Sequence, residues 1–473
     1  MADLRDWLAQ VEAMGELETL KGVPWDLEMG VICELVERQR DKPAIIFDDI
    51  PDYPSGFRVL TNALGSRNRF SLTMGFPPGL KEMEMVQEWR RRYKELKLLP
   101  PRPVDSGPVM ENALYGEGVD VLSFPVPKWH EHDGGRYIGT GDMVITQGPD
   151  GGWVNLGTYR AMVHDRNHVG IDIGRGHHGR RHMEEWFARG EPMPIAIAVG
   201  MDPLLFLVAS TEVPTGTCEY DYAGAIRGEP VEVMPGPITG LPIPGGAEMV
   251  LEGFVDPQER RPEGPFGEFP GYYGGGVRDL PVIRVEGLYY RNNPIILGTP
   301  PLRPPNARNH YRGALRSALT WDALEGVGVP DIAGVWCYEF GSTVTVVAVK
   351  QRYPGHAKQA ARLAAQMPGA GHYAIVVDED IDISDIDEVL WALCTRVDPD
   401  RDIENLKDCL ASSLDPIIPP ERKAFPTISR VIFDATRPYE WRDRFPEVVA
   451  SSPALKQQVL ARWGEVLARA GIC

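Results

Sequence analysis

Near the start of the chain, Leu4, Trp7, Leu8, Val11 and Met14 recur at steps of three and four residues, and Gly15 stands where the pattern falters. The spacing predicts an amphipathic helix. A second helix is predicted over 81–98, where Val86, Trp89, Tyr93 and Leu96 share a face before Pro100-Pro101-Arg102-Pro103 removes the backbone donors a helix needs. That break marks a candidate domain boundary. Beyond it helical periodicity is scarce for about two hundred residues, and short β-rich runs at 143–146, 195–199, 204–208 and 282–285 alternate with glycine and proline turns. These four runs are expected as strands. The chain holds 50 glycines and 43 prolines, many of them between Pro235 and Pro305, so the middle is expected to be rich in closely apposed loops.

Beyond residue 310 the pattern changes. Residues 334–349 and 373–377 read as strands and 356–366 and 386–394 as helices, an alternation that predicts an α/β domain. The last segment, 453–470, repeats Leu455, Val459, Leu460, Trp463 and Leu467 as a helical stripe that packs either on its own domain or on another subunit.

Length and charge narrow the possibilities. A chain of 473 residues exceeds what one core usually serves, and 43% apolar with 25% charged residues is ordinary globular usage. Two or three folded domains are expected. Forty-nine basic against 67 acidic residues give −18 at pH 7, which opposes phosphate backbones and anionic lipid. Neither nucleic acid nor a membrane surface is an expected partner. No run approaches the eighteen or so apolar residues of a membrane span, and the acidic start Met1-Ala2-Asp3-Leu4-Arg5-Asp6 is unlike a signal peptide. Six scattered cysteines without a Cys-x-x-Cys pair suggest neither a disulfide framework nor a zinc knuckle, so the expected location is the cytoplasm.

Several familiar motifs fail on inspection. Asp378-Glu-Asp380-Ile-Asp382-Ile-Ser384 starts like a calcium loop, but Ile383 and Val389 replace the required glycine and glutamate. Gly139-Thr-Gly141 starts like a dinucleotide fingerprint, yet Val144 holds the third glycine position. A phosphate-binding Gly-x4-Gly-Lys-Ser/Thr loop and a Gly-x-Ser-x-Gly elbow are both absent from the sequence.

Four islands in the β-rich middle carry chemistry: Asn155-Leu-Gly-Thr-Tyr-Arg160, Gly176-His177-His178-Gly179-Arg180-Arg181-His182, Cys218-Glu219-Tyr220-Asp221 and Glu263-Gly-Pro-Phe-Gly-Glu268. The Gly-Pro-Phe-Gly spacer cannot continue a helix, so both glutamates sit on a tight loop. If they converge in a poorly solvated pocket, one is pushed to hold its proton near neutrality; otherwise they are ordinary surface acids. Arg160 is either the cation by which an acidic protein captures a carboxylate or a surface ion-pair residue. A histidine with glutamate and asparagine oxygens makes a mixed site suited to manganese or magnesium, while His178 and His182 read as a zinc pair only weakly, without His-Glu-x-x-His.

Taken in order, these islands resemble the UbiD family of decarboxylases, which depend on prenylated flavin mononucleotide. Tyr222-Ala-Gly-Ala-Ile-Arg-Gly228, Asp378-Glu-Asp-Ile-Asp-Ile and Asp434-Ala-Thr436 belong to the same likeness, which covers most of the chain. The resemblance implies that Asn155, His178 and Glu219 hold a divalent metal, Mn2+ or Mg2+, against the flavin phosphate, with His177 the alternative ligand and K+ beside the phosphate. It implies that Arg160, Glu263 and Glu268 are catalytic, Glu268 donating the proton and Glu263 pairing with Arg160. Tyr159, His177, His178 and Ser210 join Asn155, Arg160 and Glu219 as cofactor-binding residues.

The implied architecture is an α+β or α/β multidomain chain. It has an N-terminal α/β region over 1–105, a central split β-barrel for the flavin over 106–308, and a C-terminal α/β domain over 309–448. A terminal helix over 449–473 lies between subunits of a homo-oligomer, a dimer or a hexamer. A flavin prenyltransferase is the implied cofactor supplier. The implied reaction is reversible, non-oxidative decarboxylation of an aromatic or heteroaromatic acid, since electrons left on an sp² carbon need an organic sink. An α,β-unsaturated acid, a non-catalytic flavin-binding or assembly role, and a metal-dependent hydrolase using the glutamate pair are the alternatives. The far wall of the pocket is expected from 290–310 and the C-terminal domain, with Leu302, Phe340 and Tyr290 as candidates.

Overall fold

Asp3 caps the first helix, Leu4–Ala13, by accepting the N–H groups of Arg5 and Asp6, and Leu4, Trp7, Leu8 and Val11 are buried along one face. Met14 already forms the cap at the far end. In this computed structural model, which describes residues 3–211, 213–367 and 369–470, the second foreseen helix is Glu82–Glu95. The Glu84 carboxylate accepts the Lys81 N–H at 2.8 Å, which explains the start, and Met85, Val86 and Trp89 are buried.

Four sheets organise the described residues. The N-terminal one runs Leu17–Lys21, Ala44–Asp48, Arg58–Thr61, and is completed by Ile295–Leu297 from the far end of the middle region, parallel to Arg58–Thr61. A nine-stranded antiparallel sheet dominates the middle, centred on the long pair Met249–Glu263 and Arg278–Tyr290. Met193–Val199, Asp142–Gln147 and Val154–Gly157 extend it on one side. A small sheet joins Arg102–Pro103 to Glu232–Pro235 and Pro242–Pro244. The C-terminal sheet has five strands in the order Ile332–Glu339, Thr343–Val349, Tyr373–Asp378, Thr427–Ala435, Ile403–Leu410, with helices His356–Ala364 and Ile386–Arg396 between them in sequence. The chain is a mixed α+β, multi-sheet structure.

One expected strand is a helix. Residues 204–208 lie in Pro203–Ala209, all seven of whose residues are buried. A short, continuous apolar run has no period to separate strand from buried helix, and the deciding signal is local. Asp202 accepts the Leu204 N–H at 2.8 Å as the cap, and Pro203 occupies the first turn, where its missing donor costs nothing. The terminal helix, Pro453–Arg469, buries none of its residues, and Leu455, Val459, Leu460 and Trp463 are exposed. Packing on its own domain is therefore not how this stripe is covered. The five described cysteines are free thiols.

The helix Glu28–Glu37 ties the N-terminal region to the middle. Leu27 donates to the Lys128 carbonyl at 2.9 Å and Lys128 to that of Trp25 at 3.2 Å. Gly30 approaches the Trp129 carbonyl so closely that a Cβ would stand 1.7 Å from its oxygen. Gly30→Ala is therefore expected to destabilise the protein by about 1–3 kcal/mol through forced displacement of this helix. A lowered midpoint of urea unfolding checks it; an unchanged midpoint would mean that the close approach does not exist in solution.

Candidate active site

The long hairpin delivers two carboxylates to one place. Glu263 ends the strand Met249–Glu263 opposite Arg278, and Gly264 turns the chain at φ +91°, a left-handed conformation that a side chain would strain. The loop then folds back, with the Glu268 N–H donating to the Tyr272 carbonyl at 2.9 Å. Arg160 comes from a different connection, between Val154–Gly157 and Ala161–Val163, and its carbonyl accepts the Asp172 N–H at 3.2 Å.

The Arg160 guanidinium fills the gap between these elements. Nη1 donates to Glu268 Oε1 at 2.5 Å and Nη2 to Glu263 Oε2 at 2.7 Å, with Asp172 Oδ2 3.3 Å from Nη2. Its Nε is buried without a partner among the described residues. The guanidinium carbon lies 5.8 Å from the Phe266 ring, which in turn stacks on Tyr137 at 3.8 Å between centroids. Tyr137 donates to Glu263 Oε1 at 2.8 Å, so both oxygens of that 1%-exposed carboxylate are engaged. Asp172 is held in turn by Arg278 at 2.6 Å.

The two glutamates differ in environment. Burial raises the Glu268 carboxyl to about 7; Arg160 and Arg278 pull it down, but Asp172 and Glu263 add repulsion in the same direction as burial. A short contact to Arg160 and a raised value coexist because one guanidinium is shared among three carboxylates. The same neighbours, led by Glu263, hold Arg160 above its ordinary value against the opposing effect of burial.

Arg160, Phe266 and Glu268 line a cleft of about 180 Å³, also lined by Gly139, Thr140, Asp142, Phe206, Leu302 and Arg312. Tyr159 and Ser210 line it too; Ser210 caps the helix Pro203–Ala209 that also brings Phe206. Asp142 is fully buried, its Oδ2 has no partner among the described residues, and burial pushes its carboxyl well up. Leu302 is where it was expected, in the wall. Phe340 is not: it is exposed and stacks on Tyr338, and Tyr290 packs edge-on against Phe57 and Phe124.

Asn155 and Glu219 lie beside Tyr159, and His178 is held by other neighbours. Glu219 opens the helix Glu219–Arg227 and accepts the Leu156 N–H at 2.8 Å, which sets it next to Asn155. The Asn155 amide donates to Thr146 Oγ1, which also meets His182 Nδ1 at 3.1 Å. His178 begins the same helix, His178–Ala188, and its Nε2 meets Thr215 Oγ1 at 3.0 Å, with its ring edge-on to Trp153. His177 is exposed and 5.6 Å from the Tyr159 ring, whose hydroxyl accepts the Gly179 N–H. Among the described residues no three His, Cys, Asp or Glu side chains form a metal cluster. The donor chemistry fits: Glu219 is 3% exposed, burial raises it to about 7, and no cation is among the influences on it.

Sequence reasoning missed Tyr137, Asp172 and Arg278. Arg278 had a signal, because a hairpin closing over Glu263–Glu268 puts the residue after the loop in register with Glu263. Tyr137 and Asp172 had none, since both reach the site only through strand pairing.

Known proteins resemble this chain over nearly its whole length. Family models of the N-terminal, Rift-related and C-terminal domains of 3-octaprenyl-4-hydroxybenzoate carboxy-lyase match residues 8–92, 102–304 and 310–435. The chain is 33% identical to a pyrrole-2-carboxylic acid decarboxylase of Pseudomonas aeruginosa over 98% of each protein. It superposes on the open form of vanillic acid decarboxylase from Sedimentibacter hydroxybenzoicus with a TM-score of 0.86 at 29% identity, over 98% of this chain and 99% of that one. The UbiD-class enzyme HmfF from Pelotomaculum thermopropionicum, solved with FMN, gives 0.86 at 28% identity, over 98% and 100%. An evolved dimeric form of HmfF has been solved with prFMN.

Tyr137→Phe removes the O–H donor to Glu263 Oε1 while keeping the ring stacked on Phe266. It is expected to cost about 1–3 kcal/mol, the penalty of a buried acceptor left unmade. Thermal or denaturant unfolding of the variant measures it; wild-type stability would show that water replaces the hydroxyl.

Proposed function

The chain belongs to the UbiD family of decarboxylases, and from that premise we propose that it catalyses the reversible, non-oxidative decarboxylation of an aromatic or heteroaromatic carboxylic acid with prenylated FMN. The observation that carries the reading is Arg160 held between Glu263 and Glu268 in the wall of the cleft. Bound in that cleft, the prenylated flavin supplies the electron sink for the charge left on the substrate carbon. The nine-stranded sheet is read as the split barrel that carries it. Tyr159, His177 and Ser210 flank the cofactor. Asn155, His178 and Glu219 would hold Mn2+ or Mg2+ against its phosphate, with K+ alongside.

The chain's own residues do three things. Glu263, fixed by Tyr137 and Arg160, keeps the guanidinium plane in place. Arg160 orients the substrate carboxylate with its remaining hydrogens, Nε–H among them, which fixes the bond to be broken. That carbon–carbon bond breaks, carbon dioxide leaves without its bonding pair, and Glu268 returns a proton to the carbon that keeps the pair. Glu268 is the donor because it holds a proton near neutrality and its side chain is 19% exposed against 1% for Glu263, so it can be reprotonated from water. A homo-oligomer, dimer or hexamer, formed through the exposed terminal helix, a cytoplasmic location and a flavin prenyltransferase as supplier complete the reading.

Three experiments test it. Glu268→Gln is expected to lower product formation by about 10²–10⁴ while flavin absorption persists; turnover at the wild-type rate removes Glu268 as donor. The Glu268 carboxyl is raised above the ordinary 4.5 of a glutamate, so the native state holds the proton fully below about 4.5 and loses it as pH climbs through about 7. Proton return should therefore fall on the alkaline side of about 7, and a pH profile of kcat checks it. Chelation followed by gel filtration is expected to release both manganese and flavin, read by metal analysis and absorbance; retention of flavin after metal loss contradicts the assignment of Asn155, His178 and Glu219.

A further inference from the structure

Glu37 is a buried acid with half of its hydrogen bonding unused. It ends the helix Glu28–Glu37, whose position Gly30 fixes on Trp129, and it lines the same cleft as Arg160 and Glu268 although it comes from the N-terminal region. It is 2% exposed. Oε2 accepts the Ala307 N–H at 2.9 Å, at the start of the helix Ala307–Gly326, where free backbone donors favour an acceptor. Oε1 is buried and has no partner among the described residues.

The neighbouring polar groups of the wall are committed elsewhere. The Asn306 amide donates to the Leu302 carbonyl while its oxygen accepts the Asn309 N–H, and Thr140 Oγ1 accepts the Thr299 N–H. Burial raises Glu37 to about 7, with the Ala307 N–H opposing it, so above that pH the side chain is a carboxylate and Oε1 can only accept, which is the state in which acids must be compared. A buried acceptor left open in a substrate cleft is paired by what the cleft binds.

We propose that Glu37 sets the substrate class by accepting a hydrogen bond from a ring-borne donor of the acid, a ring N–H or a hydroxyl, so that acids carrying such a donor are preferred over isosteres that present only an acceptor. The inference rests on the decarboxylase reading. An ether or furan oxygen in the donor's place would set acceptor against acceptor and leave Oε1 unpaired, which costs about 10- to 100-fold in discrimination.

The test uses flavin-loaded full-length protein and matched acids: pyrrole-2-carboxylate against furan-2-carboxylate for a donor next to the carboxyl, and 4-hydroxybenzoate against 4-methoxybenzoate for one across the ring. Affinity is read by titrating the flavin spectrum and turnover by carbon dioxide release. In the wild type one pair should show a preference of at least about ten-fold for the donor-bearing member; ratios near one in both pairs overturn the proposal without reference to any variant. In Glu37→Gln the Ala307 N–H holds the amide oxygen and leaves the NH2 at the open position, so an acceptor becomes a donor and the preference should reverse. An unchanged ratio in a variant that still loads flavin overturns the proposal, as does loss of flavin with the ratio intact, which would give Glu37 to the cofactor. Binding preferences without any carbon dioxide release from either pair would instead sink the decarboxylase reading and leave the Glu37 inference standing.

Discussion

One guanidinium shared among three carboxylates is the constraint on which the site depends. Arg160 faces Glu263, Glu268 and Asp172, and cannot satisfy all of them as full ions in a wall where water is scarce. The contest is settled by unequal support. Glu263 is hydrogen-bonded by Tyr137 and Asp172 by Arg278, while Glu268 has no hydrogen bond from either, feels Arg278 only at longer range, and is the one that burial drives toward its protonated form. The proposed proton donor is thus singled out by the neighbours of its competitors.

That arrangement explains the demands on the fold. The three carboxylates and the cation come from separate strands and loops of one antiparallel sheet, and a one-residue slip of the long hairpin would turn Glu263 to the opposite face. The other wall of the cleft comes from further away. The helix Glu28–Glu37 is stitched to Trp25–Trp129 by backbone hydrogen bonds and a glycine contact, and Ile295–Leu297 returns the chain to the N-terminal sheet before Leu302 and Asn306 reach the cleft. The N-terminal region therefore contributes chemistry to the cleft as well as packing.

Much of this was legible in the sequence, for reasons that differ by residue. The helices at Leu4–Ala13 and Glu82–Glu95 and the C-terminal alternation declare themselves by period, because each has one apolar face. Arg160, Glu263 and Glu268 stand in short islands whose spacers force a turn, and the structure brings all three together. Pro203–Ala209 was misread because a helix buried on every side carries no period. Tyr137, Asp172 and Glu37 were invisible because nothing beside them in the chain differs from an ordinary strand, loop or amphipathic helix. Their roles arise from strand register and from packing between regions. The acidic loop at Asp378–Asp380, which failed as a calcium motif, is held instead by Arg396 and Arg437.

The charge count follows the reaction through. With Glu268 protonated, Arg160 and Arg278 balance Glu263 and Asp172, so an arriving carboxylate brings the cluster to one net negative charge. In the proposed chemistry, losing neutral carbon dioxide leaves that charge on the substrate, where the bound flavin would supply the sink for it, and proton return moves it to Glu268, 2.5 Å from the same guanidinium. The net charge near Arg160 is the same before and after; only its position changes, over the width of the site. A protein carrying −18 overall needs such a local balance, because its mean field repels every acid it must bind. Reprotonation then requires water to reach Glu268 but not Glu263, and of the two side chains only Glu268 is exposed enough to meet it.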